Sequence, residues 1–252
     1  MTDSHCHLDL CDDPLSAADP DLAAIVTVGI TAVRSQTCLD LARVLPNVWA
    51  AVGIHPNESE EGADLQARNR VASLAEEPEV VAIGETGFDT HWDRQPLGAQ
   101  EELFQWHAGL ARALDKPLIL HVRDRQGRDD ASSAATRAIQ RAGWHKGILH
   151  CFNGHEELLK AGLRLGWMVS FAGNLTYRSA TPIQETARRV PEDRLLVETD
   201  SPYLSPHPKR ERRNIPANVR LTAGFLAELR GCPPDELESL TDANAARLFG
   251  LS

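Results

Sequence analysis

The chain has 252 residues, 42% of them apolar, and a formal charge of −10. That length supports a large core, and barrels of this size commonly form one domain, so one unit over residues 1–252 is expected. The negative charge argues against broad electrostatic wrapping of nucleic acid, which requires Lys and Arg to neutralise many phosphates, but not against a local site on a strand end. The opening stretch MTDSHCHLDL lacks the basic start and apolar run of a secretory signal, and no window approaches the roughly 20 unbroken apolar residues of a membrane helix. Five cysteines (Cys6, Cys11, Cys38, Cys151, Cys232) form no CxxC pair, which argues against a disulfide framework or a zinc knuckle. A cytoplasmic protein with no membrane association and no obligate protein partner is expected.

In chain order, short apolar β-branched runs end near His7, Ile30, Ile54, Glu85, Val122, Cys151, Phe171 and Asp200, separated by segments of helical character. The runs Val80–Ile83 and Leu118–Leu120 lack polar alternation, as in strands buried on both faces of a parallel sheet. Leu103, His107, Leu110 and Leu114 share one helical face, as do Val219, Thr222, Leu226 and Leu229, with Pro216 suited to a first turn. No glycine-rich nucleotide loop follows the first strand, so eight strand and helix units predict an α/β fold, a single closed (β/α)8 TIM-type barrel.

Residues able to bind metal stand where these strands end: His5 and His7 on the first, Glu85 on the fourth, His121 on the fifth, His150 on the sixth and Asp200 on the eighth. In such a barrel the carboxyl ends of the strands converge, so distant residues share one site, and positions 5 and 7 point to the same side of their strand. Four imidazoles and two carboxylates exceed the needs of one open metal, which predicts two divalent ions with Glu85 or Asp200 between them. Zinc, manganese, cobalt or iron suits the mixed nitrogen and oxygen set better than an all-oxygen magnesium site, although magnesium stays among the candidates.

The stretches DSHCHLD (3 to 9), GIHP (53 to 56), AIGETGFD (82 to 89), LHVRD (120 to 124), HCFNG (150 to 154), AGNLTY (172 to 177), VETDSPYLSP (197 to 206), RRNIPANV (212 to 219) and NAARLFGL (244 to 251) run from end to end. In this order they resemble the TatD family of metal-dependent deoxyribonucleases. The resemblance implies a TIM-type barrel, one or two metals on the six residues above, and hydrolysis of DNA phosphodiesters, often from the 3′ end. Two departures stand out. Ile215 occupies a position where many relatives carry an acid, and Thr90-His91-Trp92 follows GETGFD where relatives often continue with aromatic residues.

On this reading a water acidified by the ions attacks phosphorus, Asp200 accepts its proton, and Glu85 mainly bridges. Arg123 is a candidate for holding a phosphate, with Asn153 and Asn174 adding neutral hydrogen bonds and His55 facing the substrate or supporting a turn. His91, His155 and His207 lie in loops expected on the same face, whereas His107 and His145 suit packing or surface roles. Trp92 is read as a base-stacking residue or a loop anchor, and the run from His207 to Arg213 as a strand-binding loop or solvated surface. The alternatives are a small-molecule amidohydrolase or lactonase with the same two-metal site, and a metal-binding scaffold without catalysis. Many amidohydrolases bridge their metals with a carboxylated lysine, but this chain has only four lysines, and Lys116 and Lys146 precede their strands, on the opposite face.

Overall fold

A computed structural model describes residues 1–92 and 94–251. The apolar runs form eight strands: β1 Thr2–Cys6, β2 Ala24–Val28, β3 Val48–Val52, β4 Val80–Asp89, β5 Leu118–Arg123, β6 Gly147–Leu149, β7 Met168–Phe171 and β8 Leu195–Val197. They pair in sequence order, and every pair is parallel. The helices are α1 Pro14–Ala17, α2 Ala32–Val44, α3 Ser59–Ala63, α4 Leu65–Leu74, α5 Leu97–Ala113, α6 Asp130–Ala142, α7 Glu156–Arg164, α8 Thr181–Arg189, α9 Val219–Arg230 and α10 Pro234–Phe249. The fold is the expected eight-stranded α/β barrel.

Side-chain alternation splits the core into two layers. Val26, Ala51, Ala82, Ile119, Ile148, Met168 and Leu196 form one cluster that reaches Ala245 and Phe249 of α10, while Ile25, Ala50, Ile83, Leu118, Leu149, Val169 and Leu195 join a second cluster with the surrounding helices. Strands buried on both sides explain the absence of polar alternation. Helix α10 is tied to the start of β1, where Met1 N donates to Glu238 Oε1 (2.6 Å) and Thr2 N to Asp242 Oδ1 (2.6 Å). That end is therefore plugged, and the opposite, carboxyl end stays open for a site.

Two strands end differently from the expectation, and both differences shape the site. β4 continues four residues past Glu85 because its pairing with β5 resumes beyond an irregularity between Ile83 and Thr86 and runs to Asp89 opposite Arg123. Glycines permit this: Gly84 (φ +130°) and Gly87 (φ +143°) hold backbone that L side chains rarely adopt, and a Cβ on Gly87 would collide with the His121 carbonyl. β8 stops at Val197, three residues before Asp200, because buried Asp3 takes Thr199 out of the ladder. Its carboxylate accepts from Thr199 N (2.9 Å) and Thr199 Oγ1 (2.5 Å). The circle closes through Ser4 Oγ to Val197 O (2.9 Å), Asp200 N to His5 O (2.9 Å) and His7 N to Ser201 O (2.7 Å).

His107 has the packing role expected of it. Fully buried on α5, it donates from Nδ1 to Leu103 O (2.9 Å) and accepts at Nε2 from Ile54 N (3.0 Å), anchoring the turn that carries His55. Burial lowers its pKa to about 3. The unfolded chain takes up this proton below about pH 6.5 whereas the native one resists it to about pH 3, so the contribution is complete above pH 6.5 and is lost as pH falls. His107→Leu is expected to cost about 1–3 kcal/mol at pH 8, because it strands the Ile54 N–H. By pH 5 the wild type loses about 2 kcal/mol that the variant does not, so the gap narrows. Urea unfolding of both chelator-stripped proteins at the two pH values checks this; a gap independent of pH would contradict it.

Candidate metal centre

β1 delivers His5 and His7 two residues apart to one side of the strand, and Cys6 between them packs into the apolar layer. His7 Nδ1 donates to Val28 O (2.9 Å), which turns Nε2 toward the open end. Glu85, aimed inward by the irregularity in β4, lies between two sets of imidazoles. Its Oε2 is 3.7 Å from His5 Nε2 and 3.6 Å from His7 Nε2, whereas its Oε1 is 2.7 Å from His121 Nδ1, 3.5 Å from His150 Nε2 and 3.9 Å from His55 Nε2. Asp200 completes the first set, with Oδ1 3.5 Å from His7 Nε2 and 3.8 Å from His5 Nε2. Its left-handed backbone (φ +56°) forms a turn closed by Tyr203 N donating to Asp200 O (2.9 Å).

All six residues expected as ligands thus meet, and His55 meets them. Three further acids were not singled out by the sequence reading. Glu198, fully buried, places Oε1 2.8 Å from His150 Nδ1 and accepts from Cys151 N (2.8 Å). Asp89 places Oδ2 3.1 Å from His121 Nε2. Asp3 fixes the chain ahead of Asp200 through Thr199.

Burial and charge compete here. Burial alone would lower the pKa of His7, but Asp200 and Glu85 raise it to about 9; likewise burial opposes, and Asp89 and Glu85 outweigh, in His121, also raised to about 9. Burial would raise Glu85, yet His150, His121 and His55 hold it well below the usual carboxylate range. His5 and His55 are driven down, first by burial and then by His150 and His121 respectively, His55 to about 3. Glu85 thus stays ionised among imidazoles of which only some carry protons.

The donor set fits divalent metal. His5 Nδ1 is buried without a hydrogen-bond partner while its ring stacks on His150 at 3.6 Å between centroids, an arrangement unfavourable for two protonated rings. Three triads bring their donor atoms within 4.8 Å of one another: His5, His7 and Asp200; His5, His150 and Glu198; His55, Glu85 and His121. Metal held by these groups would require His7 and His121 to release their protons. Asp89 and Glu198 stand behind His121 and His150 as orienting carboxylates do behind metal-ligating histidines. Asp89→Asn and Glu198→Gln are each expected to weaken Mn2+ binding by about 10- to 100-fold in titrations of chelator-stripped protein. Unchanged affinity in both would show that these acids do not orient the imidazoles.

A cavity of about 1050 Å³ opens over these groups. Arg123, Asn153, Asn174 and His55 all line it. Arg123 is exposed at the end of β5, with its guanidinium 5.4 Å from the Trp92 ring centre. Asn153 is already engaged, donating to Ser132 Oγ (2.9 Å) and accepting from His155 N (3.0 Å), so its hydrogen bonds hold the β6 loop. Asn174 Nδ2 lies 3.6 Å from Cys151 Sγ. His155 also lines the cavity, where its Nδ1 caps α7 by accepting from Leu158 N (3.2 Å). The run from His207 to Arg213 is mostly exposed, with Arg210 over the Tyr177 ring at 3.9 Å and Arg213 Nε 3.4 Å from Asp12. Ile215 is 40% exposed and does not line the cavity; its neighbour Asn214 donates to Thr199 O (2.9 Å), bracing the Asp200 turn from outside. No lysine lines the cavity among the described residues, and Lys116 and Lys146 bond to backbone carbonyls near the plugged end.

The sequence profile of the family described as TatD related DNase matches residues 2–250. An Escherichia coli protein named uncharacterized metal-dependent hydrolase YcfH is 39% identical over 99% of this chain and 95% of its own length. The 3′-5′ ssDNA/RNA exonuclease TatD of Citrobacter rodentium is 34% identical over 90% of this chain and 87% of its own. The crystal structure of YjjV, a TatD homologue from Escherichia coli, superposes with a TM-score of 0.90 at 26% identity, covering 100% of this chain and 98% of that one. No helix among the described residues is long and apolar enough to cross a membrane.

Proposed function

The chain belongs to the TatD related DNase family of metal-dependent hydrolases, and from that premise we propose that it removes nucleotides from the 3′ end of single-stranded DNA, using two divalent ions held on either side of Glu85. The observation that carries this reading is the division of the Glu85 carboxylate, with Oε2 facing His5 and His7 and Oε1 facing His121, His150 and His55. One ion would be held by His5, His7, Asp200 and Glu85, the other by Glu85, His121 and His150, with His55 as a further donor. Zinc, manganese and cobalt suit this set, with magnesium less favoured. When bound, such ions supply Lewis acidity that polarises a phosphoryl oxygen and acidifies water.

The chain's own residues do the rest. Asp200, 15% exposed at its side chain and facing the cavity, accepts the proton of the water whose oxygen bonds to phosphorus as the ester bond breaks. Glu198 and Asp89 hold His150 and His121 in orientation. Arg123 meets a phosphate at the rim; Arg94, Arg125 and Arg128 also line the cavity, among the acids Glu58, Asp124 and Asp129.

The test is digestion of a 5′-labelled single-stranded oligonucleotide by chelator-stripped protein supplied in turn with Mg2+, Mn2+, Zn2+ or Co2+. A ladder that shortens from the 3′ end only when metal is restored is the expected result. Stoichiometric metal binding with intact DNA under every metal would overturn the nuclease reading and direct the search to small-molecule esters or lactones.

A further inference from the structure

We propose that Trp92 and Arg123 form a subsite for an unpaired nucleobase and its adjoining phosphate, held at a fixed position beside the metal centre by Asp89. This rests on the phosphodiesterase reading above and adds to it the feature of the substrate that is read.

Trp92 is 55% exposed, an unusual place for the largest apolar side chain, and its ring borders the same cavity as the histidines and carboxylates. The segment carrying it is tied down. His91 N and Trp92 N both donate to Asp89 Oδ1, at 2.9 and 3.1 Å, while Asp89 Oδ2 accepts from Asn57 Nδ2 (3.2 Å) and faces His121 Nε2 (3.1 Å). Thr90 N donates to Arg123 O (2.9 Å), and Arg125 N to Thr90 Oγ1 (3.2 Å), fastening the loop to the end of β5. One carboxylate therefore sets both an imidazole of the metal centre and the backbone that presents the indole.

The indole is exposed yet not alone. The Arg123 guanidinium lies 5.4 Å from its centre, and the His91 ring meets it edge-on at 5.0 Å. An indole more than half exposed at a cavity, with a planar cation over its ring, suits a base stacked on the remaining exposed surface and a phosphate taken by the guanidinium's fork. Among the described residues Arg123 makes no ion pair, which leaves that fork available. A paired end must first unstack and unpair before it offers such a base, so the subsite favours single strands. A lactone or simple ester makes no use of it.

The test compares wild type, Trp92→Ala and Trp92→Phe, each loaded with Mn2+, on three substrates: a single-stranded oligonucleotide, the same strand ending in abasic nucleotides, and bis(4-nitrophenyl) phosphate. Trp92→Ala should lower kcat/KM for the ordinary strand about tenfold more than for the small ester, the order expected for loss of one stacked base. Trp92→Phe should recover most of that loss, and on the abasic strand Trp92→Ala should cost nothing beyond its effect on the small ester. Independently of turnover, adding Trp92→Ala to Glu85→Gln protein should weaken binding of a labelled strand, read by anisotropy, by a similar factor. Equal losses on all three substrates, or unchanged strand binding, would overturn the subsite while leaving the nuclease reading intact. Wild-type hydrolysis of the small ester with no cleavage of any strand would overturn both.

Discussion

Glu85→Gln is expected to lower kcat on oligonucleotide by about 10³-fold, equivalent to about 4 kcal/mol of lost transition-state stabilisation, and to reduce bound Mn2+ from two ions per chain to one or none. Both carboxylate oxygens are engaged in different directions, one toward His5 and His7 and one toward His121, His150 and His55. Glutamine keeps the size but removes the charge and turns one oxygen into a donor, which repels rather than attracts a cation. The substitution also removes the carboxylate that helps raise the His121 pKa, so the variant should hold fewer protons there when metal-free. Steady-state kinetics at saturating Mn2+ and metal analysis after gel filtration read the two effects separately. Near-normal turnover with two ions retained would show that Glu85 does not join the two halves of the site.

Asp200→Asn is expected to lower kcat by about 10²- to 10⁴-fold, the range for loss of a positioned base, while thermal stability of the metal-free protein changes little. Asparagine tolerates the left-handed backbone at this position (φ +56°), and the turn's hydrogen bonds, Asp200 N to His5 O and Tyr203 N to Asp200 O, are made by the main chain. Asp200→Ala should be less stable than Asp200→Asn by about 1 kcal/mol, because alanine is strained there. If the asparagine variant retained kcat within a few-fold, Asp200 would not be the proton acceptor, and another base lining the cavity would have to be sought.

Much of this site is legible from the sequence, because a parallel barrel turns strand ends into neighbours. His5, His7, Glu85, His121, His150 and Asp200 stand near the ends of apolar runs, and that position alone brings them together. Asp89 is missed by a pattern that ends the fourth strand at Glu85. Continued past its glycines, the same strand puts Glu85, Gly87 and Asp89 on one side by simple alternation, and that signal would have found it. Glu198 is harder to read, since β8 has already ended at Val197 and the path beyond depends on Asp3 capturing Thr199 from the far end of the chain. The approach of His55 to Glu85 depends on a tertiary contact too, the His107 ring that anchors Ile54 from α5. Asn153 shows the converse: its residue type suits substrate contact, but its amide is committed to Ser132 and His155. Pattern locates polar groups; which nitrogen or oxygen is still available depends on neighbours that sequence does not order.

On the proposed reading one carboxylate, Glu85, joins two ion-binding halves of a single centre. Electron paramagnetic resonance of chelator-stripped protein titrated with Mn2+ tests it most directly. The proposed reading predicts uptake of two ions per chain, with a spin-coupled signal at full loading that is absent in Glu85→Gln. Saturation at one ion, or two ions giving only the uncoupled signal of isolated Mn2+, would contradict it.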